Sequence, residues 1–399
     1  MNANDLDVKL PAVQAGLGFV DDHELLQKSA RRFLTERCPR SAVRRLVDEG
    51  ADHDPALWKE IAELGWIGLC SAEQHGGAGL DLLYLCLLLE EMGRALLPSP
   101  FLGSMLALAA LEHAGSPEQQ TRHVPALLSG ERTATLAFSE PGGSWEPEHV
   151  TARSEPSNGG FRLSGDKTHV LSGASADLVV VPCLDPDGSI ALYAVELPAE
   201  RLAVHREVCV DRTRPTARLA LDRVAVPREA RLEGDGLVAL GAAFCRGYVL
   251  LASEMVGAAE AVLGLTRDYA IERRQFGRAI GSFQAVKHPI VDMLIGIELS
   301  RNLVLGAAAA FDQDPARFEQ SARMAKAMAG QSLGFAVEKG VQLHGGFGFT
   351  WDCDVQLYFK RALWSRGTLG DATHHRRHLA RTLLAQPGWD LAPTSAASS

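Results

Sequence analysis

No two cysteines in this chain stand at C-x-x-C spacing. The seven present, Cys38, Cys70, Cys86, Cys183, Cys209, Cys245 and Cys353, are odd in number and far apart. A disulfide framework and a cysteine-rich zinc site are therefore excluded, and a reducing cytoplasm is the expected location. Positive charge is also short: 40 Lys+Arg against 49 Asp+Glu leave a net charge of -9, so no field exists to hold a nucleic-acid backbone. Apolar runs such as residues 82–89 fall well below the roughly 20 residues that a bilayer helix needs, and no membrane span is expected. Residues 1–9 carry two aspartates and no apolar stretch, which is not a targeting pattern. There is no G-x-G-x-x-G, no P-loop, no repeat of fixed period and no low-complexity block.

What is present is a chain of 399 residues, 46% hydrophobic and 22% charged, enough for two or three packed domains. Apolar residues recur at three and four through residues 21–132, as in Leu25, Leu26, Ala30, Phe33 and Leu34, predicting amphipathic helices. Residues 133–238 change to short apolar runs cut by Pro141-Gly142-Gly143 and Asp185-Pro186-Asp187-Gly188, the texture of a small β-barrel or sandwich. Helical periodicity then returns in residues 239–390, first as a helix of about 30 residues over 242–273, then over 283–312, 315–342 and 357–384; residues 391–399 read as a frayed tail. The order is α, β, α.

Two motifs are set aside. Gly330-Gln331-Ser332-Leu333-Gly334 matches G-x-S-x-G but lies inside a helical run, whereas a nucleophile elbow needs a strand before it. His374 and His378 are spaced i and i+4, but no carboxylate or cysteine stands beside them at ligand spacing and Arg376 and Arg377 lie between them; no metal site is expected.

Four segments carry chemistry: residues 136–144 (LAFSEPGGS), 166–177 (DKTHVLSGASAD), 272–284 (ERRQFGRAIGSFQ) and 341–348 (VQLHGGFG). The first ends a strand in a turn whose N–H groups and hydroxyls suit an anion or a ring edge. The third sets an arginine beside an amide, an aromatic and a glycine, suited to a pyrophosphate or an adenine. In the fourth, paired glycines let a ligand approach the backbone. Together and in this order, on an α, β, α chain of this length, they resemble the acyl-CoA dehydrogenase family from about Asp21 to Leu384.

That resemblance implies an α+β fold with an N-terminal helical domain, a middle β-barrel domain and a C-terminal four-helix bundle. It also implies FAD shared between the subunits of a tetramer, α,β-dehydrogenation of an acyl-CoA thioester to the trans-2-enoyl-CoA, and an electron-transfer flavoprotein as acceptor. Arg273, Gln275, Phe276, Gln284, Gln342 and Gly346 fall on positions that hold the ADP part of FAD, and Ser139 and Ser144 match the hydroxyl residues of the first segment. Around the flavin ring the match is poorer, because His169 and Leu171 replace an aromatic and a hydroxyl residue. The base is displaced as well. Its usual glutamate position is Leu369, and the alternative position in the long helix is Gly247. Two nearby acids, Asp371 and Glu254, remain as candidates; the former competes with a helix-capping role, and the latter, in an apolar stripe, is expected either ion-paired or with a raised pKa. The acyl pocket is expected around residues 87–92 and 250–254.

Three readings follow. The chain is a self-sufficient dehydrogenase using Asp371 or Glu254; or it is an incomplete subunit that shares FAD with a related partner chain in a heterotetramer; or it is a non-catalytic acyl-CoA-binding protein. An oxidase or monooxygenase on the same fold stays open.

Overall fold

The computed structural model describes residues 21–311 and 313–385; the expected tail, residues 391–399, lies outside them. Six helices form the first layer: α1 (Asp21–Arg37), α2 (Arg40–Glu49), α3 (Pro55–Glu63), α4 (Leu82–Ala95), α5 (Phe101–Ala114) and α6 (Pro117–Leu128). Their starts are written locally. The Asp54 side chain accepts from the N–H groups of Ala56 and Leu57 ahead of α3, Asp81 from Leu83 ahead of α4, and Ser116 with Gln119 makes a capping box on α6. Helix α4 is apolar nearly all round, and 11 of its 14 residues are buried.

The middle sheet has seven strands: β1 (Ala134–Leu136), β2 (Arg153–Ser157), β3 (Gly160–Leu171), β4 (Leu178–Leu184), β5 (Ile190–Glu196), β6 (Leu202–Arg206) and β7 (Thr216–Pro227). Their order is β1-β4-β2-β3-β7-β6, with β5 also on β4. It is a curled, mainly antiparallel sheet with parallel pairs at β1·β4 and β2·β4. Strand β3 is irregular twice against β7, and the second break, between Lys167 and Val170, puts His169 at φ 53°.

Helix α7 (Gly236–Glu272, 37 residues) runs for about 55 Å. A short hairpin, β8 (Arg274–Gln275) and β9 (Arg278–Ala279), follows; then come α8 (Gln284–Ala310), α9 (Pro315–Leu343), α10 (Val355–Gly367) and α11 (Ala372–Leu384). The single helix expected over 357–384 is two helices. They are broken at Leu369 (φ 58°) and Gly370 (φ 90°), and Asp371 caps the second by accepting from the His374 N–H at 2.7 Å.

Helices α4 and α7 cross at glycines. A Cβ on Gly93 would strike the Glu254 carbonyl, and one on Gly257 the Glu90 carbonyl, so the two backbones touch where any side chain would part them. Residues 87–92 and 250–254, expected around an acyl pocket, are buried in this region of the core. Charges join the layers as well: Arg301 of α8 reaches Glu90 of α4 at 2.9 Å and Glu260 of α7 at 2.6 Å, and Arg94 shares Glu260 at 2.6 Å. Helices α7 and α8 have the length and hydropathy of membrane spans, but 72% of the apolar window of α7 is buried inside the protein.

Candidate active site

A pocket opens where the three layers meet. It is lined by Leu106 of α5, by Leu136, Phe138, Ser139 and Trp145 at the end of β1 and in the following loop, by His169 and Leu171 of β3, by Phe244 of α7, and by Thr368 and Leu369 from the turn between α10 and α11. A second cleft shares Phe138 and runs along residues 140–144 and 149–151. Phe138, Trp145 and Phe244 form the pocket's aromatic wall, with ring centroids 4.6 Å apart for Phe138 and Phe244 and 6.0 Å for Phe138 and Trp145.

The loop between these walls is pinned from below. Glu140 accepts from Lys167 Nζ at 2.6 Å and from the N–H groups of Thr151 and Ala152 at 2.8 and 3.0 Å. Burial alone would raise the Glu140 pKa, but the Lys167 ammonium and these donors hold it below the usual carboxylate range. Ser139 is buried at the pocket wall, its Oγ 3.4 Å from Thr168 Oγ1, and Ser144 Oγ lies 2.8 Å from His149 Nδ1. His169 turns outward, with Nδ1 3.1 Å from Glu207 Oε2. Leu171, whose side chain has no hydrogen-bonding atom, also lines the pocket.

The two positions that the sequence marks as vacant base sites, far apart in the chain, come together here. A Cβ on Gly247 would sit 2.8 Å from Leu369 Cδ1 and 2.6 Å from Leu106 Cδ2. Leu369 is 2% exposed, so its isobutyl group fills the space above Gly247.

Neither candidate acid lines this pocket; each is engaged in the structural role that competed with catalysis in the sequence. Asp371 is exposed and engaged as the cap of α11. Glu254 is ion-paired, and its pKa is not raised: burial would raise it, but Arg214 and Arg361 drive it down. Arg361 Nη1 donates to Glu254 Oε1 at 2.5 Å and Nε to Asp211 Oδ2 at 2.7 Å, and Arg214 bonds Glu254 Oε2. This cluster joins α7, α10 and the loop before β7 in the interior.

The adenosine-side residues gather at the far end of α7. Arg273 ends the helix, Gln275 and Phe276 stand on the hairpin, Gln284 opens α8, and all four are exposed, Phe276 at 91%. Phe276 at φ 51° and Gly277 at φ 79° are the two left-handed residues of the hairpin turn, the second at no cost because it has no Cβ. Tyr269 of α7 stacks on His344 with centroids 4.4 Å apart, bringing the exposed Gln342 and Gly346 to the same end. Nothing lies within 4 Å of a Cβ built on Gly346, so a ligand can rest on its backbone. This half fits the ADP part of FAD: a cation, amides, an aromatic and a bare glycine around open space. From Phe244 to Arg273 the helix covers about 43 Å, so the two half-sites of one chain stand at opposite ends.

Comparison with known proteins decides the family. The acyl-CoA dehydrogenase N-terminal domain matches residues 20–131 and the acyl-CoA dehydrogenase C-terminal domain residues 234–384. Acyl-CoA dehydrogenase IpdE2 of Mycobacterium tuberculosis is 30% identical over 92% of this chain and 99% of its own length. This chain belongs to the acyl-CoA dehydrogenase family. Among solved structures, a variant of the Tcur3481-Tcur3483 steroid ACAD is 33% identical with a TM-score of 0.82, covering 92% of this chain and 98% of that one. The ChsE4-ChsE5 complex from Mycobacterium tuberculosis is 28% identical with a TM-score of 0.84, again over 92% and 98%.

Within the family frame, the sequence located Ser139, His169, Leu171 and Leu369 at the pocket but missed Leu106, Trp145, Phe244 and Thr368. Trp145 follows Ser144 directly and was within reach of the first motif. Phe244 and Leu106 lie in helices whose apolar residues look alike in sequence. Glu207, which holds His169, carries no motif.

Proposed function

We propose that this chain is one subunit of an acyl-CoA dehydrogenase built from two related chains, in which its own pocket carries no base and its adenosine-side residues complete a site on the partner. FAD, when bound, would accept hydride as an acyl-CoA thioester loses its α and β hydrogens to become the trans-2-enoyl thioester. Arg273, Gln275, Phe276, Gln284, Gln342 and Gly346 of this chain would hold the adenosine end, and the partner would supply the carboxylate and the hydroxyl contacts to the ring. The observation that carries this reading is the packing of Leu369 over Gly247, which leaves an apolar surface where the family places its carboxylate.

Three further features support it. The two half-sites of one chain are too far apart for one extended dinucleotide, so a second chain, identical or related, must complete each site. Helix α8 leaves Val291, Ile295 and Leu299, at i, i+4 and i+8, each at least half exposed, an apolar stripe suited to a second chain. Two of the solved relatives are named as pairs of chains. Electrons would pass to a separate flavoprotein. The seven free cysteines support a cytoplasmic location.

The test is to purify the chain alone, record its visible spectrum and mass, then repeat with a related chain that carries the glutamate, adding linear and steroid-type acyl-CoA thioesters without air. The expected result is a colourless chain that turns yellow and bleaches in the mixture alone. A yellow homotetramer that bleaches by itself would sink the shared-site reading and restore the self-sufficient dehydrogenase. A colourless chain that binds thioester but never flavin would leave the binding-protein reading.

A further inference from the structure

The shared-site reading makes no use of His374 and His378. The structure brings to them the carboxylate that the neighbouring sequence lacks: Glu146, from the loop after β1. His378 Nε2 lies 2.9 and 3.0 Å from the two Glu146 oxygens, and His374 Nδ1 lies 3.7 Å from Oε1. One donor atom from each of the three residues falls within 4.8 Å of the other two, and all three side chains are half-buried. In a tetrahedral zinc site with bonds near 2.0–2.1 Å, donor atoms stand about 3.3 Å apart, between the two separations found here.

The ligands are also held. The His374 ring rests on Gly370, whose φ of 90° and missing Cβ make room for it. The Glu146 N–H donates to Ser144 Oγ at 3.1 Å, and that oxygen meets His149 Nδ1 at 2.8 Å. Hydrogen bonding alone satisfies one imidazole, since 3.7 Å is too long for the second. Of the surrounding cations, Arg323 is the one whose charge reaches Glu146 and His374. Arg323 is paired with Glu319 at 2.9 Å and lies over the Tyr248 ring, Arg376 reaches Gln331 at 2.5 Å, and Arg377 is exposed.

We propose that Glu146, His374 and His378 form a binding site for a divalent first-row transition ion of the zinc class. Two neutral imidazoles and one carboxylate are the ligand types such an ion takes, and three protein ligands leave one position for solvent. Bound there, the ion ties the loop that carries Ser139 and Ser144 to helix α11, across the rim of the pocket. The inference stands whether or not the chain holds flavin alone.

The experiment titrates the chelator-treated full chain with Co²⁺ alone, then with Zn²⁺. Expected are one Co²⁺ per chain with visible d–d absorption, its loss on adding one equivalent of Zn²⁺, and a rise in thermal midpoint with Zn²⁺. Glu146→Gln and His378→Gln should each weaken Co²⁺ binding by about tenfold or more with unchanged far-UV circular dichroism. No saturable binding of either ion overturns the proposal, and so does one-per-chain binding that both variants leave intact. Should His378→Gln fail to fold, Glu146→Gln alone decides the matter.

Discussion

Glu254 shows how burial redirects an acid. Its carboxylate accepts from two guanidiniums in the interior, so removing its charge strands Arg214 and Arg361 rather than a proton acceptor. Breaking such a pair costs roughly 3–5 kcal/mol, and Glu254→Gln is expected to lower the urea midpoint accordingly. Because its folded pKa is depressed, the stability it contributes is present above the unfolded carboxylate pKa and is lost as pH falls through the folded value. Asp371 acts at its own helix start. Asp371→Ala should cost about 1 kcal/mol, read by the same denaturation, with the flavin content of the assembled complex unchanged. Lys326 is fully buried, donating to the Gly370 carbonyl at 2.9 Å, and burial, partly offset by Asp371, lowers its pKa to about 7. The unfolded lysine titrates near ~10.4, so between those values the unfolded chain holds the extra proton and stability rises with pH. Urea midpoints should therefore climb from about pH 7 to about pH 9 in the native chain, and Lys326→Met should flatten the climb.

Among the elements, the crossing of α4 and α7 and the contact of α7 with the turn between α10 and α11 differ in how much added volume they tolerate. Gly257→Ala drives a methyl into the Glu90 backbone, which cannot yield, and is expected to cost roughly 1–3 kcal/mol or more. Gly247→Ala meets the ends of two leucine side chains and should cost less than about 1 kcal/mol. Equal losses in chemical denaturation would refute this contrast. The same elements mark where the sequence was legible. The run of leucines in α4 and the stripe on α7 announced buried helices, because the period of a helix is local. The break at residues 368–371 was overlooked: apolar spacing continues on both sides, and a leucine at φ 58° carries no signal of its own. Gly370-Asp371, a glycine followed by a capping residue, was the clue. The Asp211–Arg361–Glu254 cluster spans 150 positions, and Glu146 lies 232 from His378; contacts so distant in the chain leave no pattern in either segment.

For the molecule as a whole, the shared-site proposal makes a stoichiometric demand. If this chain supplies adenosine-side residues and a related partner supplies the ring-side ones, a complex with equal numbers of each should bind about one flavin per pair of chains. Absorbance against total protein measures this, and one flavin per chain would contradict it. Arg273→Ala in this chain should lower the flavin content of the mixed complex, whereas the same change in the partner should leave it nearly unaltered.

The 37-residue span of α7 also sorts the chain by what a mutation can reveal. At its Gly247 end, Leu369 and Leu106 are packed in the core, so changes there larger than an added methyl register as lost fold. At its Arg273 end the side chains face solvent, so changes leave folding alone and register as lost colour. A mutant library of this chain, co-produced with its partner and scored twice, for soluble yield and for yellow, would split into two populations along one helix, and the boundary between them would trace the edge of the shared cofactor site.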